Sequence, residues 1–232
     1  MSSVTHIGII LDGNRRYAKR ENKLQLEGHK LGAENVKRLI TEWAPELGIR
    51  ELTLYAFSMQ NFNRPKEEFE YLMELFSKFF TLLTRSKAFN EKNIRVRFLG
   101  RISLFPKSVS EAMRKLMERT RDNNALIVNF CMAYGGREEI VDAATALSRD
   151  VAHGKIKADS ITPDLLNRYM YLQHEPELII RAGGEHRTSN FLMWQSWYSE
   201  WFFVEKFWPE FTKEDLRHIL GEFAQRERRF GK

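Results

Sequence analysis

The stretch His6-Ile7-Gly8-Ile9-Ile10-Leu11-Asp12-Gly13-Asn14-Arg15-Arg16-Tyr17 decides the fold. Its first half is a short, unbroken apolar run without helical period, which reads as a strand over 6–11. Its second half turns at once into a carboxylate, a glycine and two guanidinium groups. Open α/β sheets bind ligands just beyond the carboxyl ends of their strands. A strand that runs straight into such a cluster therefore suggests both a sheet and the edge of a site.

Downstream the alternation of short apolar runs and helical periods continues. A helix is expected over 29–47, ended near Gly48, then a strand over 51–57. A long helix over 65–85 carries Phe69, Leu72, Met73, Phe76 and Phe80 on one face. Further strands are expected at 94–99, 125–130, 177–181 and 201–204. Helices over 108–121, 136–148 and 212–226 separate or follow them. The pattern implies an α/β fold with a mostly parallel six-stranded sheet flanked by helices. No repeat, low-complexity tract or Pro/Gly/Ser-rich linker interrupts it, so one domain over 1–232 is expected.

Composition narrows the partners. A formal charge of +6 favours an anionic one: nucleic acid, an anionic membrane surface or a phosphorylated small molecule. No nucleic-acid recognition motif accompanies the charge, so nucleic acid is set aside. The lone cysteine, Cys131, excludes an internal disulfide and a cysteine metal site, and its apolar setting reads as a buried thiol. Seventeen Phe and five Trp exceed what the core requires, leaving some to line an apolar cavity. With no signal pattern and no apolar run of about 18 residues, the chain reads as cytoplasmic, meeting a membrane only from outside.

Three strand-end loops carry the candidate chemistry. In the first, Arg15 and Arg16 with backbone N–H groups suit diphosphate oxygens, and Asp12 suits a hard cation bridging them. The same residues would also serve a turn in which Asp12 caps the next segment and the arginines are solvated. The second loop, Ser58-Met59-Gln60-Asn61-Phe62-Asn63-Arg64-Pro65, crowds polar groups before a helix that Pro65 can open. A plain polar loop with a cap explains it equally. The third, Arg181-Ala182-Gly183-Gly184-Glu185-His186-Arg187-Thr188-Ser189-Asn190, sets two arginines around a glycine pair and can wrap a second diphosphate. It matches neither the Walker loop nor the dinucleotide fingerprint.

Five strings, in order, now carry a resemblance: HIGIILDGNRRYAK (6–19), LTLYAFSMQNFNRP (52–65), YGGREEI (134–140), RAGGEHRTSNFLMWQ (181–195) and RERRFG (226–231). The sequence resembles the cis-prenyltransferase, or undecaprenyl diphosphate synthase, family over nearly its whole length, and the Arg followed by Tyr at 16–17 is similar to its archaeal branch. The resemblance implies a magnesium-dependent transferase that joins an allylic prenyl diphosphate to isopentenyl diphosphate in cis. It also implies a homodimer and a product tunnel between helices and sheet. By position, Asp12 would place magnesium and the allylic diphosphate, with Gly13, Asn14, Arg15, Arg16, Tyr17 and His29 around that group. Phe57, Ser58 and Asn61 would help position the reacting carbons and support proton removal, and Arg64 would bind substrate. Arg181, Arg187 and Ser189 would bind isopentenyl diphosphate. Glu200 would reach magnesium, and Arg229, Phe230 and Gly231 would close over a neighbouring subunit's site.

Several positions depart from the family pattern. Arg15 stands where glycine is common, Gln25 where an arginine usually supports the allylic diphosphate, and Gln60 where an acid is usual. Ala133 replaces an asparagine, and Arg101 an aspartate. Gln60 keeps the shape of Glu without its charge, and Arg15 would replace the charge missing at Gln25. Phe130 and Met132 are bulky for a tunnel wall and favour shorter products. Two other readings stay open: head-to-middle joining of two allylic units, as in lavandulyl-type synthases, and a non-catalytic partner subunit, against which the retained Asp12 argues.

Overall fold

The computed structural model describes residues 4–226. Its strands are β1 (His6–Ile10), β2 (Glu51–Ser58), β3 (Ile94–Leu99), β4 (Leu126–Tyr134), β5 (Leu178–Ala182) and β6 (Glu200–Val204). They form one sheet in the order β3-β4-β2-β1-β5-β6, and every pairing is parallel. The expected sheet was mostly parallel; the observed one is wholly so, because each strand is followed by a crossover rather than a hairpin. Strand β1 is buried along its length, as a strand covered on both faces must be. At Gly8 the missing side chain lets the Phe191 ring and Ile179 pack close to the strand.

The helices are α1 (Asn14–Arg20), α2 (Gln25–Arg38), α3 (Ala44–Glu46), α4 (Lys66–Arg85), α5 (Lys87–Glu91), α6 (Lys107–Arg119), α7 (Gly136–Ala152), α8 (Pro163–Asn167) and α9 (Lys213–Gln225). Helix α1 was not foreseen; its residues read as a loop because their side chains are polar or basic. Helix α2 begins four residues before the expected start. It passes into a π-helical turn, Leu39–Trp43, where an uninterrupted helix was expected. Pro45 has no N–H to give the Thr41 carbonyl, which accepts instead from Lys92 Nζ at 2.5 Å. Strand β4 runs four residues past its expected end, pairing Met132 with Phe57 and Tyr134 with Ser58.

The larger apolar cluster joins one side of the sheet to α2, α4, α6 and α9 through Leu39, Phe80, Val109, Leu116 and Leu216. A smaller one gathers Tyr55, Tyr134, Leu172, Phe191 and Leu192, with Cys131 wholly buried among them. Along the sheet, β1 has β2 on one side and β5 on the other. The chain thus reverses its direction of travel at β1 and β5. That switch point is where a crevice opens beyond the strand ends.

Candidate functional site

Asp12 and Arg181 meet in that crevice. Arg181, 2% exposed near the end of β5, donates through Nη2 to Asp12 Oδ2 at 2.8 Å and through Nη1 to Ser189 Oγ at 2.7 Å. Its Nη1 also reaches the Arg187 carbonyl oxygen. Asp12 Oδ1 accepts from the Gly13 N–H at 2.6 Å, and Arg16 approaches Oδ2 at 3.3 Å. Gly13, with φ of 95°, brings the chain round Asp12 so closely that a Cβ there would lie 2.5 Å from the Phe207 ring. The Asp12 carbonyl is held in turn by the Trp208 N–H.

These groups form one end of a cleft of about 590 Å³ running between α2, α4 and the sheet. The polar end is lined by Asp12, Asn14, His29, Ser58, Gln60, Asn61, Arg64, Arg181 and Ser189. The wall beyond is apolar, and Phe76, Phe79, Phe80 and Phe130 close it. Phe80 lies edge-on to Phe130 at 5.5 Å, and Phe98 stacks behind Phe130 at 5.6 Å. Phe57 lines the middle, ringed by Phe62, Phe69, Phe76 and Phe105. A cleft with a cationic mouth and an apolar body suits an amphiphile with an anionic head and a hydrocarbon tail.

One residue that the sequence reading passed over organises the mouth. Glu68, in the first turn of α4 and 7% exposed, takes Arg64 and His29 on Oε1, the latter at 3.1 Å, and Arg15 on Oε2 at 3.3 Å. Burial raises its pKa, but the Arg64 guanidinium, the His29 hydrogen bond and Arg15 outweigh burial and hold it below the usual range. Burial, reinforced by Arg64, lowers the His29 pKa despite Glu68. The spacing of Arg64, just before α4, and Glu68, four residues on in its first turn, was the available signal. Asn61 Oδ1 accepts from the Ser58 N–H at 2.9 Å, which leaves its amide N–H groups to serve as donors in the cleft.

Other expected residues stand elsewhere. Tyr17 does not line the cleft; Arg20 and Lys23 lie over its ring on the outer side of α1. Arg15 is turned to Glu68 and Arg16 to Asp12 and Glu185, so both serve the mouth from behind. Arg187 is on the rim, paired with Glu185. Gln25 is exposed at the start of α2 and does not line the cleft, while Gln60 does. Met132 is buried in the core and does not line the cleft either, a correction that leaves Phe130 as the bulky residue of that strand facing it. The YGGREEI segment braces the third loop: Asn190 accepts from the Arg137 N–H and donates to Glu138. Arg229 and Gly231 lie outside the described residues.

The metal assignment divides. Among the described residues no three His, Cys, Asp or Glu side chains converge into a cage. Magnesium keeps several waters and asks only one or two carboxylates beside substrate phosphates. Asp12, the one carboxylate among the described residues that line the cleft, meets that requirement. Glu200 does not join it within the chain. It begins β6, opposite Leu178, and so sits at the amino edge of the sheet, five residues of strand or roughly 16 Å from the level of Asp12. There its carboxylate accepts from Arg226 Nη1 at 2.6 Å.

Comparison with known proteins agrees with this geometry. A family model described as "Putative undecaprenyl diphosphate synthase" matches residues 10–231. The tritrans,polycis-undecaprenyl-diphosphate synthase (geranylgeranyl-diphosphate specific) of Pyrococcus horikoshii is 47% identical over 229 residues, 98% of this chain and 86% of that one. Lavandulyl diphosphate synthase from Lavandula x intermedia, solved with dimethylallyl diphosphate, superposes with a TM-score of 0.93 at 34% identity, covering 99% of each chain. A probable undecaprenyl diphosphate synthase from Campylobacter jejuni superposes with a TM-score of 0.83 at 32% identity over the whole of both chains.

Proposed function

The chain belongs to the undecaprenyl diphosphate synthase family, and from that premise we propose that it is a cis-prenyltransferase that condenses an allylic prenyl diphosphate with isopentenyl diphosphate. The observation that carries the reading is the single cleft that joins a cationic mouth to a phenylalanine-walled chamber.

In this reading Asn14, His29 and Arg64 receive the allylic diphosphate beside Asp12, while Arg181 and Ser189 receive the second diphosphate. Arg187 swings from Glu185 to join the latter. Asp12 would hold magnesium, which when bound would supply positive charge as the diphosphate departs. The carbon–oxygen bond of the allylic donor breaks, and the π-electrons of isopentenyl diphosphate form the new carbon–carbon bond. A proton is then lost to create the new double bond, with the departing diphosphate as a sufficient base. Arg64 and the Asn61 amide donate where negative charge grows, and such preorganised donors count for most in a site that excludes water. The aromatic wall keeps water from the allylic carbon.

Phe130, with Phe79 and Phe80, forms the floor against which a growing tail stops, which favours shorter products. The half-buried Trp201 and Phe203 on the outermost strand, next to the exposed Trp197, support a homodimer through that edge. Glu200 is then available only to a second copy. No helix among the described residues is long and apolar enough to cross a membrane. A cytoplasmic enzyme touching the membrane from one side fits the apolar product.

The test is incubation with magnesium, isopentenyl diphosphate and primers from dimethylallyl to geranylgeranyl diphosphate, read by mass spectrometry. Ladders growing by one isoprene unit only with isopentenyl diphosphate support the reading. A single condensed product from allylic substrates alone would instead favour the head-to-middle reaction, for which the uncharged Gln60 in the cleft is the structural argument.

A further inference from the structure

A second groove, of about 500 Å³, lies outside the catalytic cleft and is lined by Lys37, Ser77, Lys78, Thr81, Leu82 and Arg85, with Ser86 at its end. Its position follows from the two helices that build it. His29 of α2 touches Glu68 of α4 at the diphosphate mouth, and Lys37 of α2 meets the 77–86 segment in this groove. The helices therefore run side by side in the same direction. Between these ends, Ala33 and Val36 of α2 face Leu72, Leu75, Phe76 and Phe79 of α4 across the apolar cleft. The groove is the distal continuation of that seam, roughly 25 Å along α4 from Glu68 to Arg85.

Its chemistry differs from the rest of the seam. Lys37, Lys78 and Arg85 surround Leu82, which is 47% exposed. Lys78 is paired with Glu74, while Lys37 and Arg85 have no ion pair among the described residues. An exposed aliphatic side chain inside a ring of long cationic ones is the arrangement of an interfacial element. The stems and the leucine enter the headgroup layer, while the charged ends stay at phosphate level.

We propose that this collar docks the enzyme on an anionic lipid bilayer, presenting the distal end of the apolar seam to the membrane. The placement rests on the prenyltransferase reading, since an apolar product is handed on to a bilayer; the charge pattern stands without it. Each cation near an anionic membrane surface contributes roughly fivefold to binding. The two unpaired cations together then account for roughly 25-fold.

The test is sedimentation of the full chain with vesicles of phosphatidylcholine alone or of phosphatidylcholine and phosphatidylglycerol in equal parts. The parent should bind the anionic vesicles and not the neutral ones. The Lys37→Gln/Arg85→Gln variant should bind about 25-fold more weakly. A control variant, Lys157→Gln/Arg168→Gln, removes two exposed cations from around α8 and should bind as the parent does. Failure of the parent to bind, equal binding to neutral vesicles, or an equal loss in the control variant would overturn the proposal. Turnover of the same proteins in detergent solution separates the two readings. A parent that binds but makes no product overturns the enzymatic reading and leaves the collar standing.

Discussion

Replacing Glu68 by Gln tests the least expected part of the site. The substitution keeps the shape and removes the charge that Arg64, His29 and Arg15 share. The charge-assisted bond to Arg64 is worth about 1.5–3 kcal/mol and the bond from neutral His29 about 1 kcal/mol. Arg15 is half-exposed and screened, so it adds about 0–0.5 kcal/mol. The amide oxygen still accepts from Arg64 and His29, so the loss is the charge-assisted excess at Arg64 plus the Arg15 pair, about 0.5–2.5 kcal/mol of folding stability, measured by urea unfolding of variant and parent. The catalytic cost is separate. With its partner neutral, Arg64 loses the fixed position from which it faces the cleft, and misplacement of a positioning group by about 1 Å costs about a hundredfold. The loss should appear with a raised KM for the allylic diphosphate and a nearly unchanged KM for isopentenyl diphosphate. A double-mutant cycle with Arg64→Gln should recover most of the stability loss as coupling. A stability change under about 0.5 kcal/mol with both KM values unchanged would refute the role assigned to Glu68.

Asp12→Asn should lower turnover by at least about a hundredfold and lower the melting temperature less than Asp12→Ala would, because the amide oxygen still receives Arg181 but without the counter-charge. Removal of magnesium by a chelator should silence the parent to the same degree, and normal kinetics in the variant would remove Asp12 from the metal assignment. Asp12→Ala is the harsher change, since it strands the buried Arg181 cation. Phe130→Ala should cost about 3–5 kcal/mol and shift products to longer chains; an unchanged product distribution by mass spectrometry would place the floor elsewhere. His29 is held neutral by burial, whereas the unfolded residue takes up a proton near its ordinary value of about 6.5. The unfolded state then binds more protons as pH falls, so stability is full above about pH 6.5 and declines below it. Relative to the parent, His29→Gln should therefore be more stable at about pH 5.5 than at about pH 7.5, by thermal melting, and a pH-independent difference would contradict a buried neutral ring.

Much of this protein is legible along the chain. Continuous apolar runs as short as Ile7–Ile10, bounded by turn residues, suit a strand covered on both faces, and the alternating helices leave parallel pairing as the available topology. The loops after β1, β2 and β5 carry the polar residues that the structure gathers at one mouth, so Asp12, Asn61 and Arg181 can be singled out as candidates from the sequence. Helix α1 was hidden because its local side chains are those of a loop. It is set by Gly13 and by close packing on Gly28 and Gly32 of α2, where a Cβ would strike Asn14. Those contacts join segments distant in space until the chain is folded.

Partnerships are what only the tertiary structure decided. Sequence order says nothing about which cation lies over which carboxylate. Glu68 became the hub of the mouth because α4 lies beside α2, bringing His29 within 3.1 Å of a residue 39 positions away. Glu200 was separated from Asp12 for the same reason in reverse. The strand β6 enters the sheet with its first residue at the amino edge, and parallel register then fixes the two carboxylates at opposite ends. Residue type and local period depend on neighbours in the chain and can be read from it. The field and reach of a charged side chain depend on neighbours in space, which are settled only by how the helices pack on the sheet.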